Sequence, residues 1–141
     1  TATLEGTLVA GSMLRLSLSA GGGVVAHAGG VDRGLAQSEA AIGRRSRSFA
    51  WELGAKWFWE SPNHVLVQPA LLLYPADWVY VRAGIPVRVY DGFDYGALLG
   101  PGVRFGSYDF ALFGEVDATV LSGSGFDAAA LEGRVGVEVL F

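Results

Sequence analysis

Catalysis and metal binding need side chains that ionise, ligate or attack at workable spacings, and this chain has few. Its two histidines, His27 and His64, stand far apart, and there is no cysteine. Isolated histidines without a thiolate partner make no metal-ligand pattern. No metal and no cofactor is therefore expected. Ser61 near His64 is the one adjacent nucleophile and base. A hydrolase would also need a group to orient the histidine. A lipid-modifying enzyme is thus the distant reading, and no residue is assigned a catalytic role. Gly21-Gly22-Gly23 is not a phosphate loop, because no Lys-Ser/Thr follows it and no helix starts there. A glycine run of this kind relieves crowding in a strand or permits a bend.

What remains is charge at alternate positions. Glu132, Arg134 and Glu138 share one face of the last segment, against Leu131, Val135, Val137, Val139 and Phe141 on the other. Glu115 and Asp117 oppose Leu112, Val116 and Val120. Arg104 opposes Val103 and Phe105, while Arg82 and Arg88 oppose Val81, Ile85 and Val87. Glu52 and Lys56 oppose Trp51, Trp57 and Trp59. A period of two marks β-strands with one apolar and one polar face. Both signs recur on the polar face, where Arg15 also falls. Neighbouring strands bring such groups within pairing distance. Glu52, Arg82, Arg88, Arg104, Glu115, Asp117, Glu132, Arg134 and Glu138 are expected to form an inward ion-pair network. Its expected role is to hold a closed structure shut, not to catalyse.

About eight strands are needed to position these residues. They are read near Ala2–Ala10, Met13–Ala26, Ser48–Glu60, His64–Tyr74, Trp78–Tyr90, Tyr95–Phe105, Asp109–Leu121 and Ala129–Phe141. Turn signals separate them at Ser61-Pro62-Asn63, Pro75-Ala76-Asp77, Asp91–Asp94 and Ser122–Gly125. Pro69, Pro86 and Pro101 fall inside strands, so bulges or bends are expected there. Residues 28–47 break the pattern and are read as a long loop or a short helix over Leu35–Ile42, ended by Gly43. Arg44, Arg45 and Arg47 follow it. Two readings are open for them: a solvated loop, or a helix that plugs the barrel or lies on a membrane with these arginines on lipid phosphates.

Composition decides which face points inward. Charged residues are 17% of the 141, below the ~25% of soluble domains. Hydrophobic residues are 51%, yet no run of about 18 apolar residues could form a membrane helix. The net charge of −4 argues against nucleic acid. Trp51, Trp57 and Trp59 would crowd a narrow interior. Many of the 21 glycines fall on the polar face, where a tight lumen needs small residues. The expectation is an all-β, closed, antiparallel up-and-down transmembrane barrel of residues 1–141. Trp51, Trp57, Trp59, Val81, Ile85, Leu112, Val137 and Phe141 would then face lipid or detergent. The alternative is a soluble lipocalin-like barrel with the faces inverted, binding an apolar ligand.

The alternation, the strand count and the terminal Phe141 resemble small bacterial outer-membrane β-barrels, the class of the OmpA transmembrane domain and OmpX. Phe141, Val139, Val137 and Val135 match the C-terminal pattern of that class, which is read by the barrel-assembly machinery. The aromatic often found two places before the end is replaced by Val139. The resemblance implies the bacterial outer membrane and a non-enzymatic role as scaffold, anchor or interaction surface. It also places residues 28–47 on the periplasmic side, where turns are short, so an unusual segment meeting a protein partner is expected there. A start at Thr1 rather than methionine fits a mature form after signal-peptide removal and fits a trimmed chain equally well.

Overall fold

Period-two sequence becomes strand along the chain. The computed structural model describes residues 13–27, 30–33, 36–59, 65–88, 94–123 and 126–141. β1 is Met13–His27. β2 has two segments, Gly30–Arg33 and Gln37–Arg45, both paired with β1. β3 is Phe49–Phe58 and β4 is Val65–Ala76. β5 also has two segments, Val79–Gly84 and Val87–Arg88. β6 is Asp94–Gly106, β7 is Phe110–Gly123 and β8 is Phe126–Leu140.

Each strand pairs antiparallel with the next, and β8 returns to β1 from Arg15↔Leu140 to His27↔Ala128. The sheet is therefore a closed eight-stranded barrel, an arrangement that leaves no unpaired edge. Phe141 completes the seam: its amide donates to Leu14 O at 3.0 Å, and Leu14 N donates to its carbonyl at 2.8 Å.

Two expectations need correction. Within residues 28–47, Gly30–Arg33 and Gln37–Arg45 are strand rather than loop or helix. Gln37–Arg45 is a strand wedged between β1 and β3, with register partners such as Leu18↔Ala40 and Ala40↔Ala55. Hydrogen bonding on both sides outweighs the helix preference of an Ala-rich stretch. The count of eight thus begins at Met13 and includes this strand. The strand expected at 2–10 lies outside the described residues. The register also shows none of the bulges expected at Pro69, Pro86 and Pro101. The register is unchanged across Ile85-Pro86, where the ladder of β5 is merely interrupted, and across Gly100-Pro101 in β6. Pro69 keeps its place opposite Leu53. The one register shift of β4 against β5 falls between Leu73 and Ala76, where Pro75 sits.

One end of the barrel carries the tight connections at 46–48, 77–78 and 107–109, together with the end of β8. Gly106 enters the last of these with φ of +135°, a conformation that glycine adopts without strain. Ser107 Oγ then donates to Phe110 O at 3.1 Å and accepts from Phe110 N at 3.2 Å. This short-turn end is the one where residues 28–47 are expected from the sequence to form a long connection. With Gln37–Arg45 in the wall, the connection at this end is the tight one at 46–48 and not the long segment expected there.

Candidate functional site

Strand alternation sends one set of side chains into the lumen. The buried charged residues are Arg15, Arg45, Lys56, Arg82, Arg104 and Arg134 against Glu39, Glu52, Glu115, Asp117, Glu132 and Glu138. Among the described residues these six cations and six anions balance. Arg82 is the hub. Its Nη1 donates to Glu39 Oε1 at 2.7 Å and Glu52 Oε1 at 3.0 Å, its Nε to Glu115 Oε1 at 2.7 Å, and its Nη2 to Asp117 Oδ2 at 3.0 Å. Arg134 lies opposite Glu115 in register and grips it through Nε at 2.8 Å and through Nη2. It also reaches Glu39 at 3.3 Å, Asp117 at 3.5 Å and Ser19 Oγ at 3.0 Å.

The network continues toward the short-turn end. Arg15 bridges Glu52 and Glu138, the latter at 2.8 Å. Glu138 also accepts from Arg104 Nε at 2.8 Å and pairs with Arg45 at 3.4 Å. Arg45 stacks over the Tyr74 ring at 3.8 Å, a cation–π contact in a desolvated place. A separate cluster joins Lys56 and Gln37 to Glu132, each at 2.9 Å.

A small apolar core of Ala50, Leu72, Tyr74, Tyr80 and Phe113 fills the space between these charges. Tyr80 Oη donates to Glu115 Oε2 at 3.1 Å. Its ring occupies the space that a side chain at residue 102 would need, since a Cβ on Gly102 would fall 2.3 Å from it. The gap left among Ser19, Gln37, Glu39 and Arg134 is too small for a water molecule. No group of three or more His, Cys, Asp or Glu among the described residues is placed to hold a metal ion.

The outer wall is the inverse of the lumen. Leu18, Ile42, Leu53, Leu71, Leu73, Leu99, Val116, Val120, Leu131 and Val135 are exposed on it. Aromatic side chains gather at its two ends. Phe49, Trp51, Trp78, Phe105, Phe110 and Phe141 ring the short-turn end, while Trp59 and Tyr95 stand at the other. From Tyr95 to Phe105 the strand climbs about 33 Å at ~3.3 Å per residue. At a tilt near ~40° that is roughly 25 Å of height, the apolar band of a membrane barrel.

Of the residues expected in the lumen, Glu52, Arg82, Arg104, Glu115, Asp117, Glu132, Arg134 and Glu138 come together there. Arg88 is half-buried in the short second segment of β5, opposite Leu66 and Asp94. Of those expected outside, Trp51, Trp59, Ile85, Leu112 and Phe141 are exposed, while Trp57, Val81 and Val137 point outward and are half-buried. The basic cluster divides. Arg44 and Arg47 are exposed, but Arg45 is fully buried in the lumen, so its expected contact with lipid phosphate is wrong. The reason is the pleat: in a strand, neighbours 44 and 45 must face opposite ways. Glu39, Gln37 and Arg45 were missed as lumen residues because they lie in the segment read as a loop. Ser61 and His64 lie outside the described residues.

No protein-family model and no curated protein sequence matches the chain. Its fold does have solved counterparts. Neisserial surface protein A superposes with a TM-score of 0.77 at 10% identity, over 91% of this chain and 97% of that one. A barrel from the de novo design of transmembrane β-barrels superposes with a TM-score of 0.55 at 11% identity, over 92% of this chain and 95% of the design. At such identities the likeness is one of fold: a small barrel of the outer-membrane type.

Proposed function

We infer that this protein is a bacterial outer-membrane barrel that acts without catalysis, as a scaffold, anchor or interaction surface with its lumen packed shut. One observation carries the reading: the faces are inverted relative to a water-soluble barrel. Among the described residues, twelve charged side chains are buried inside, and large aliphatic side chains are exposed outside. In water that arrangement would expose an apolar wall far larger than soluble monomers carry. In a bilayer the same wall is solvated by lipid, and closure satisfies every strand's backbone groups.

The soluble, ligand-binding alternative needs an apolar cavity inside. Here the lumen holds ion pairs, and the roughly 620 Å3 hollow opens instead over Gly114 and Gly133 of the outer face. An eight-stranded barrel is only wide enough for its own side chains, which favours a closed lumen over a pore. The outward row Val135, Val137, Val139 and Phe141 on the seam strand supports delivery by the barrel-assembly machinery.

The test is purification with and without detergent, with gel migration of boiled and unboiled samples. The expected result is a detergent-dependent monodisperse protein whose unboiled form migrates differently. A chain that stays monodisperse in plain buffer and takes up an apolar dye into its lumen would overturn the reading.

A further inference from the structure

Arg44 is the one charged side chain on the described outer wall between the turns. The other outward positions of the described strands, as far as their side chains are described, are apolar, glycine, serine or tyrosine. Arg44 stands opposite Leu14 on one side and Trp51 on the other, and the next outward residue of its strand is Ile42, 51% exposed. Arg47 is exposed in the adjoining turn. Neither arginine makes an ion pair with a described residue, whereas Arg45 between them is buried against Glu138.

An unpaired guanidinium on an apolar wall is costly at the centre of a bilayer and nearly free at its border. Arg44 lies at that border, level with the aromatic ring of the short-turn end. Guanidinium groups bind phosphate oxygens bidentately. The adjacent Trp51 and Phe49 suit the headgroup level. We propose that Arg44 and Arg47 form an interfacial site for the phosphate of an anionic phospholipid in the leaflet at the short-turn end. The site rests on the membrane reading above. It marks where the apolar belt ends and holds the barrel at a set depth.

Trp51 reports on the site directly. In a chain carrying Trp57→Phe, Trp59→Phe and Trp78→Phe, its fluorescence is measured in vesicles with brominated phosphatidylglycerol or brominated phosphatidylcholine. The expected result is stronger quenching by the phosphatidylglycerol, with local enrichment of about fivefold per arginine. The preference should vanish in Arg44→Gln/Arg47→Gln and be only partly kept in Arg44→Lys/Arg47→Lys, which hold the charge but lose the bidentate fork, with gel migration confirming that each variant folds. Equal quenching by both lipids in the parent chain, or a preference that survives the glutamine changes, overturns the site and leaves the membrane reading standing. Quenching by neither lipid overturns both.

Discussion

Replacing Arg82 with Met should be the most damaging single change in the lumen. The guanidinium is fully buried and bonded to Glu39, Glu52, Glu115 and Asp117. Methionine fills much of the same volume, so the loss is electrostatic rather than a cavity. Glu52 would keep Arg15, and Glu39 and Glu115 would keep Arg134. Asp117 would be left with Arg134 Nε at 3.5 Å. One buried negative charge is then in excess. Deleting one partner of a buried pair costs ~3–5 kcal/mol. At about 2 kcal/mol per molar of urea, the unfolding midpoint should fall by ~1.5–2.5 M. The assay is equilibrium unfolding in lipid vesicles, followed by tryptophan fluorescence.

The companion variant, Arg82→Met with Asp117→Asn, restores the charge balance. It should recover part of the loss, with a coupling of ~0.5–3 kcal/mol. Two results would refute the reasoning. One is a single variant within ~1 kcal/mol of the parent, the worth of an exposed pair. The other is a double variant no more stable than the single. Either would mean that the lumen is wet enough to solvate a lone carboxylate.

Further changes test other parts of the molecule. Arg134→Met should lower the unfolding midpoint without producing an ion current in a planar bilayer; a steady conductance would mean that the ion pairs, not the packing, close the lumen. Val135→Arg places a charge near the middle of the outer wall and should cost ~2–4 kcal/mol in vesicles, with no loss expected if that wall faced water. Gly102→Ala drives a methyl group into the Tyr80 ring and should cost ~1–3 kcal/mol, read in the same unfolding assay. Phe141→Ala should reduce the fraction of assembled barrel recovered from the outer membrane while shifting the stability of refolded protein by only about 0.5 kcal/mol.

Most of the architecture was legible because the outer face is so uniformly apolar. Trp51, Leu53, Ala55 and Trp57 leave no doubt about the period of β3, and Leu112, Val116 and Val120 do the same for β7. The failure at β2 has a physical cause. Its outward residues are Ser38, Ala40, Ile42 and Arg44, of which only Ile42 is large and apolar. Its inward set, Gln37, Glu39, Ala41, Gly43 and Arg45, resembles the lumen face of every other strand. Read alone, the stretch offers two polar faces and helix-forming alanines. Its strand state comes from hydrogen bonds on both sides, a long-range fact that no local window contains. The same limit applies to pairing within the lumen. Arg134 with Glu115 was foreseeable from adjacent strands. The reach of Arg82 to Glu39 and Glu52 crosses the barrel and needs its closed cross-section.

The charged lumen has a role beyond stability. A barrel whose wall is apolar on the outside gains nothing in a bilayer from an apolar inside, because lipid would solvate either face equally well. The strands would then have little to choose between their two orientations. Buried charges remove that ambiguity. Because the side-chain period is two, a slip of one residue in β2 would turn Glu39 and Arg45 outward and bring Ile42 and Arg44 in. Each charge moved to the middle of the apolar belt costs ~2–4 kcal/mol for a cation, and each partner left inside loses its pair. The same holds for every strand that carries an ion pair to another. The network thus acts as a register code: Arg82 is satisfied only when the strands carrying Glu39, Glu52, Glu115 and Asp117 all stand in the closed order. Such a code favours one closure over its neighbours even where hydrophobic residues of the same volume would give equal or greater stability.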